Sequence, residues 1–238
     1  MSRVVALSAR ELRSYFLSPV GYIIIALFSL LVGLIFVFFT FEPGQPATIR
    51  AVFSWGTWVL LFVCPAISMR SISEERRQGT YETLMTSPIS ESEVIIGKFA
   101  ASLLFLLLMF VPTGAIVAVL EIYGAPDYGE LACGYLGMTL AGSTYLASGM
   151  LASALTTSQI VAFLVPLFFW LLVNLGCKLL PPYLSESWAN FVALCDSDQR
   201  LRDFTIGLLD TSNVIFFVTL TLVFLITASR VLQARRWG

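Results

Sequence analysis

Residues 74–93 read EERRQGTYETLMTSPISESE. Glu74, Glu75, Arg76, Arg77, Glu82, Glu91 and Glu93 fall within it, and Arg70 lies just upstream. Uncharged apolar runs flank the stretch: AVFSWGTWVLLFVCPAISM before it and, after Lys98, FAASLLFLLLMFVPTGAIVAVL. A charged island punctuated by Gly79 and Pro88, set between runs too oily to fold in water, reads as a loop joining two membrane-spanning helices. The rest of the chain agrees. Of 238 residues, 58% are hydrophobic and 12% are charged, and mean hydropathy is +0.86. Soluble domains carry about 25% charged residues. A membrane β-barrel would alternate over segments of about 10 residues, whereas these runs are long and continuous. The fold class is all-α integral membrane.

A spanning helix needs about 20 mostly apolar residues. Six such spans are expected, at 20–41, 52–69, 97–120, 131–155, 159–179 and 213–231, within a single transmembrane domain covering 1–238. Spans four and five are separated only by TTSQ and form a tight hairpin. An even number of spans puts both termini on one side. The side holding the N-terminus, the 70–98 loop and the C-terminus carries ten Lys and Arg; the other carries four, namely Arg50, Lys178, Arg200 and Arg202. The positive-inside rule then makes both termini and the island cytoplasmic.

Two further segments are amphipathic. In 2–18, Val4, Val5, Leu7, Leu12, Tyr15 and Phe16 alternate with Arg3, Arg10, Glu11 and Arg13, which suits an interfacial helix on the cytoplasmic side; the alternative is an extension of span one. The charges at Arg10, Glu11 and Arg13 also break the apolar core that a signal peptide would need. In 181–212, Trp188, Phe191, Leu194, Leu201, Phe204 and Leu208 recur at near-helical spacing, as in one or two short helices on the outer surface. The acids there (Asp196, Asp198, Asp203, Asp210), offset by Arg200 and Arg202, are expected to be simply solvated.

The island itself parses into helix, stop, short helix, stop, helix. Gly79 fits the end of the helix leaving span two. Thr80 can cap a short helix with Glu82 in its first turn, where the helix dipole favours a negative charge. Pro88 ends that helix, and Ser90 with Glu93 forms a capping box for the next. A two-turn helix is unstable alone and must pack on something. Tyr81, Leu84 and Met85, at i, i+3, i+4, form its apolar face. Spacing leaves two readings open: a docking knob for a soluble partner, or packing on the protein's own helix ends.

The stretch ERRQGTYETLMTSPISESEVIIGK resembles the region of ABC-2 type permeases that joins their second and third spans, through Glu75, Gly79, Thr80, Glu82, Leu84, Pro88 and the Gly97–Lys98 pair. Six spans, an N-terminal interfacial helix and a long outer segment before the last span match that family too. The C-terminal run GLLDTSNVIFFVTLTLVFLITASRVLQARRW is similar to the gliding-motility-associated (GldF-type) subgroup. The resemblance implies that 70–97 carries a cytoplasmic coupling helix that fits a separate ATP-hydrolysing subunit. Glu74, Glu75, Arg76 and Arg77 would supply rim contacts, and Tyr81, Leu84 and Met85 the buried anchors. It also implies a second permease chain, a transport path between the two, a bacterial inner membrane and, in some systems, a periplasmic auxiliary subunit.

Other chemistry finds little support. No GxxxxGK[ST] loop is present, and the one Gly-Lys pair, IIGKF, opens a span, so ATP is expected on the partner and no cofactor on this chain. There is no histidine, and Cys64, Cys133, Cys177 and Cys195 have no metal-ligand spacing. Nothing indicates nucleic-acid binding or a catalytic constellation. Spans one to three show no buried acid or base, against a proton- or ion-coupled carrier; a lipid-headgroup enzyme would want clustered acids or histidines. Asn174 lies within span five, and Glu121 ends span three at the outer interface. The small residues of span four (Gly134, Gly137, Ala141, Gly142, Ser148, Gly149, Ala152) fit either tight packing within the chain or a moving, path-lining helix. Pro65, Pro112 and Pro166 are expected to bend their helices. A scaffold that anchors an ATPase and passes its motion to a periplasmic partner would carry the same island.

Overall fold

The computed structural model describes residues 3–40, 48–77, 79, 90–123, 126–185, 188–189, 192, 194 and 196–236. Every regular element among them is helical. Among the described residues, five stretches are long and apolar enough to cross a membrane: Pro19–Thr40, Arg50–Arg77, Glu91–Tyr123, Gln159–Leu179 and Thr211–Ala234.

Helix α1 (Arg3–Leu17) is a separate element. The chain breaks at Ser18, and Pro19 opens α2 (Pro19–Thr40), at the first-turn position where its missing N–H costs nothing. The two helices meet so closely that a Cβ on Gly21 would collide with the Tyr15 carbonyl. This excludes a straight extension of span one. The apolar face of α1 was assigned to the membrane surface, but much of it turns inward. Leu7 is buried, and Leu12, Tyr15 and Phe16 pack on the core, with Tyr15 stacked 4.8 Å from Phe105. Val5, Arg10, Arg13 and Leu17 are left outside. An aromatic face that can bury against protein gains packing that a fluid headgroup layer does not offer.

Helix α2 contributes one buried stripe, Phe28, Val32 and Phe36, four residues apart on one face. Ile23, Leu27, Leu30, Leu34, Val37 and Phe38 point outward, an apolar exterior suited to lipid. Helix α3 (Arg50–Ser68) is far more enclosed, and α4 (Ser73–Arg77) follows it after one turn. The third run divides into α5 (Glu91–Phe110) and α6 (Gly114–Tyr123), with a 3₁₀ turn at Val111–Thr113. Pro112 is the cause. Thr113 Oγ1 donates to the Phe110 carbonyl at 2.6 Å and bonds to the Tyr135 hydroxyl at 2.8 Å, re-satisfying the break. Pro65 and Pro166, by contrast, sit inside uninterrupted helices.

Helix α7 (Tyr128–Leu155), 28 residues long, lies against α3, α5, α8 (Gln159–Leu179), α9 (Ser197–Thr205) and α10 (Thr211–Arg236). It is buried without interruption from Ala141 to Met150. Its glycines explain how so many neighbours approach it. A Cβ would collide with the Phe53 ring at Gly134, with Phe204 at Gly137 (2.7 Å), with Leu106 at Gly142 (2.6 Å) and with the Ser68 hydroxyl at Gly149. The small residues serve packing within this chain, on three different helices. Its hydroxyls are also used internally: Thr144 bonds to Thr221 on α10 (3.0 Å), and Ser148 accepts from the Trp170 indole on α8 (3.0 Å). Small and hydroxyl residues lower the hydropathy of α7, which a helix facing protein on most sides can tolerate.

The outer acids have structural partners, contrary to expectation. Asp196 caps α9 through the Asp198 and Gln199 amides, and Asp210 accepts from the Ser212 amide at the start of α10. Asp198 pairs with Lys178 (2.8 Å), and Asp203 accepts from the Asn213 amide (2.7 Å), whose carbonyl accepts from Arg200 (2.9 Å). Asn174, buried in α8, accepts from Ser197 (2.7 Å) and so ties α9 to the bundle. Leu201 and Phe204 are buried as expected, while Trp188, Leu194 and Leu208 are exposed; Phe191 lies outside the described residues.

Candidate functional site

The charged island leaves and rejoins the bundle at two fixed points. On the first side, the turn after α3 is held by Ser153 of α7, which accepts from the Ile72 (3.1 Å) and Ser73 (2.9 Å) amides and donates to the Met69 carbonyl (3.1 Å). Arg76 donates to the Ala154 carbonyl at 3.0 Å. Helix α4 then stops: the Gly79 amide reaches back to the Arg76 carbonyl, and Gly79 adopts φ +71°, the left-handed geometry that glycine reaches without strain. On the second side, Ser90 and Glu93 form the expected capping box at the start of α5, the Ser90 amide donating to Glu93 at 2.8 Å. The proposed docking residues Thr80, Tyr81, Glu82, Leu84, Met85 and Pro88 lie outside the described residues. Among those that are described, Arg77 is exposed, whereas Glu74, Glu75 and Arg76 are half-buried, and Glu75 and Arg76 bond within the chain.

A buried cation holds this end together. Lys98, two turns into α5, is 2% exposed and bonds to Glu75 at 2.8 Å and to Glu11 at 3.1 Å. It therefore joins α1, α4 and α5. The cluster corrects the expectation that spans one to three hold no buried acid or base: a lysine opening an apolar run calls for an opposite charge, and here two carboxylates supply it. Its partners lie 23 and 87 residues away, beyond the reach of local spacing. Close by, the Ser8 hydroxyl donates to the Gly97 carbonyl at 2.9 Å, and a Cβ on Gly97 would press on Leu7. The Gly97–Lys98 pair is thus a docking point for α1: the glycine admits the helix and the lysine fixes it.

Beside the cluster lies a cavity of about 520 Å³ between α1, the start of α2, the α3–α4 turn and α5. Val20, Gly21, Ile24, Ala66 and Ile67 supply its apolar wall; Arg10, Arg70, Glu74 and the serines 14, 18 and 71 supply its polar one. Tyr15 also lines it. Burial pushes the Tyr15 phenol up to about 12, and its hydroxyl shares a hydrogen bond with Ser102 at 3.0 Å, so it stays neutral at any physiological pH.

Fold and site together define an all-helical, multi-pass membrane protein with an ion-paired, charged end. The chain belongs to the ABC-2 family of transporters: the family profile described as "ABC-2 family transporter protein" matches residues 57–237. Members are membrane components of ABC transporters and generally work with an ABC ATPase subunit. The match includes the island, Glu75 and Lys98, while α1 and α2 precede it. No curated protein matches the chain.

Proposed function

We propose that this chain is the membrane-spanning permease subunit of an ATP-driven exporter of the ABC-2 type, and that a separate ATPase docks on the island at 74–88. The observation that carries the reading is the framing of the island. In sequence, residues 80–89 run from the glycine stop at Gly79 to the capping box at Ser90, and the stop is braced to α7 through Ser153 and Arg76. A push on the segment would pass directly into α3, α5 and α7. Tyr81, Leu84 and Met85 are the anchors of the docked face, because apolar and aromatic side chains dominate docking energy. ATP is bound by the partner, and this chain carries no cofactor.

In this reading α7 is the fourth of six spans. At 28 residues it extends about 42 Å, longer than the bilayer core of about 30 Å. Both termini are cytoplasmic at a bacterial inner membrane, α1 lies at that interface, and two permease chains form the path between them. The gliding-motility-associated subgroup is the kinship we favour. A second reading keeps the same docking but transports nothing: the chain anchors the ATPase and passes its motion to a periplasmic subunit.

Co-purification in detergent with the candidate ATPase tests the docking. The Tyr81→Ala, Leu84→Ala double variant is expected to remain monodisperse yet lose the ATPase, whereas wild type retains it. Equal retention by both would mean that the short segment is internal packing. Transport into inverted vesicles separates exporter from anchor.

A further inference from the structure

We propose that Arg13 on α1 and Arg230 on α10 each hold the phosphate of an anionic phospholipid at the cytoplasmic face of the membrane. The proposal rests on the reading that both termini lie on that face, not on the ATPase. The first observation is where the arginines stand on their helices. On α10, Val218, Leu222 and Ile226 are exposed at four-residue spacing, and the next position of that row is Arg230, also exposed. Phe217, Thr221, Ala228 and Leu232 face the bundle instead. Lipid tails cover a row of exposed aliphatic side chains as well as protein does, and this row ends in a guanidinium. Its depth agrees. From Thr211, at the outer end of α10, to Arg230 the helix rises about 29 Å, close to the bilayer core of about 30 Å.

On α1 the same spacing makes an exposed row of Val5, Ala9, Arg13 and Leu17. Leu17, 85% exposed, is the last residue before the break at Ser18, and Pro19 then opens the spanning helix α2. Arg13 therefore stands one helical turn from the point where the chain enters the bilayer. The small side chains of Ala6 and Ala9 leave a shallow groove of about 560 Å³ beside Arg13, Ser14 and Leu17, open on the side away from the bundle. Arg77, equally exposed, ends α4 beside the island and continues no such row.

The second observation is charge. Around α1, Arg10 and Lys98 are matched by Glu11 and Glu75, so that cluster is neutral, and Arg70 and Glu74 beside it add one charge of each sign. Arg13 is the surplus. Helix α10 carries three arginines, at 230, 235 and 236, and no acid. Helix α5, joined to it by the Ser92–Ser229 hydrogen bond at 3.2 Å, brings Glu91, which is buried, and Glu93, which caps α5 at Ser90. Positive charge remains there too. Neither Arg13 nor Arg230 pairs with an acid among the described residues. A guanidinium at the rim of an apolar exterior matches a lipid phosphate in geometry and in sign, and an anionic leaflet attracts it further.

Native mass spectrometry of the purified full chain, titrated with phosphatidylglycerol or with phosphatidylcholine, counts the bound lipids one by one. Wild type should retain two phosphatidylglycerol molecules in preference to phosphatidylcholine. Arg13→Gln and Arg230→Gln should each weaken one of them about fivefold, and the double variant both, whereas Arg13→Lys with Arg230→Lys should keep most of the preference. Arg77→Gln removes the same charge at the island and should change nothing. Both arginines are exposed, so unaltered melting temperatures are expected and show that the variants fold. Equal retention of the two lipids by wild type overturns the proposal, as does an unchanged preference in the double variant. An equal loss in Arg77→Gln would mark a diffuse effect of net charge, and displacement by glycerol 3-phosphate a simple anion site; either overturns it. So would a double variant that loses the candidate ATPase while keeping its lipids, since the arginines would then belong to that partner. Fusions to the two termini report the orientation separately, and if the lipids bind but no ATPase does, only the docking reading falls.

Discussion

Lys98 shows what a single residue can decide. Its ammonium is almost wholly enclosed and is shared by carboxylates from α1 and α4. Lys98→Met would leave two half-buried carboxylates facing each other without the ammonium they share, and breaking a buried ion pair costs about 3 kcal/mol or more. The variant should therefore melt well below wild type in detergent, while Lys98→Arg should lie close to it. Adding Glu75→Gln to Lys98→Met should restore part of the loss, because a neutral amide needs no counter-charge. A Lys98→Met protein with an unchanged melting curve would deny the cluster any structural role. Ser153 works at the same scale, satisfying two amides and a carbonyl of the turn that leads to the island.

Among the elements, α7 sets the geometry of the bundle. Each of its glycines Gly134, Gly137, Gly142 and Gly149 lets a different side chain approach, and at Gly149 the neighbour is the hydroxyl of Ser68, itself held by the Cys64 carbonyl at 2.9 Å. Gly149→Val must displace that hydroxyl and press α3 away. Overpacking of this kind costs about 1–3 kcal/mol, so lower thermal stability and a lower yield of monodisperse protein are expected. Gly33→Val on α2, where nothing lies within 4 Å, is the matched control and should be tolerated. The element boundaries were legible in advance: the spans expected at 20–41, 52–69, 159–179 and 213–231 correspond to Pro19–Thr40, Arg50–Ser68, Gln159–Leu179 and Thr211–Arg236. The division of the third run into α5 and α6 was legible as Pro112. The inward turn of α1 was not, because an amphipathic pattern records that a face is apolar and not whether protein or lipid covers it.

At the scale of the whole molecule, orientation is the open variable, and the charge bias of ten against four is the ground on which we propose that both termini are cytoplasmic. Reporters fused to either end of the chain should both be cytoplasmic, fluorescent for a green fluorescent protein and inactive for alkaline phosphatase. Termini on opposite sides would mean that one long helix, α7 being the first suspect, does not cross. The same architecture places the Lys98 cluster, the cavity and both ends of the island together at one end of the bundle. The two ends of the island are thereby tied to α1, α3, α5 and α7.

The sequence by itself determined the all-helical membrane class, the approximate limits of most of the long helices, the glycine stop and the capping box. These depend on composition and on contacts within a few residues, where hydrophobic runs, Gly, Pro and a Ser–Glu spacing act directly on the backbone. Only the tertiary structure decided that Lys98 is enclosed by Glu11 and Glu75 and that the outer aspartates brace α9 and α10. Those facts depend on groups tens of residues apart, and a buried charge finds its partner through the packing of helices, which no local pattern records.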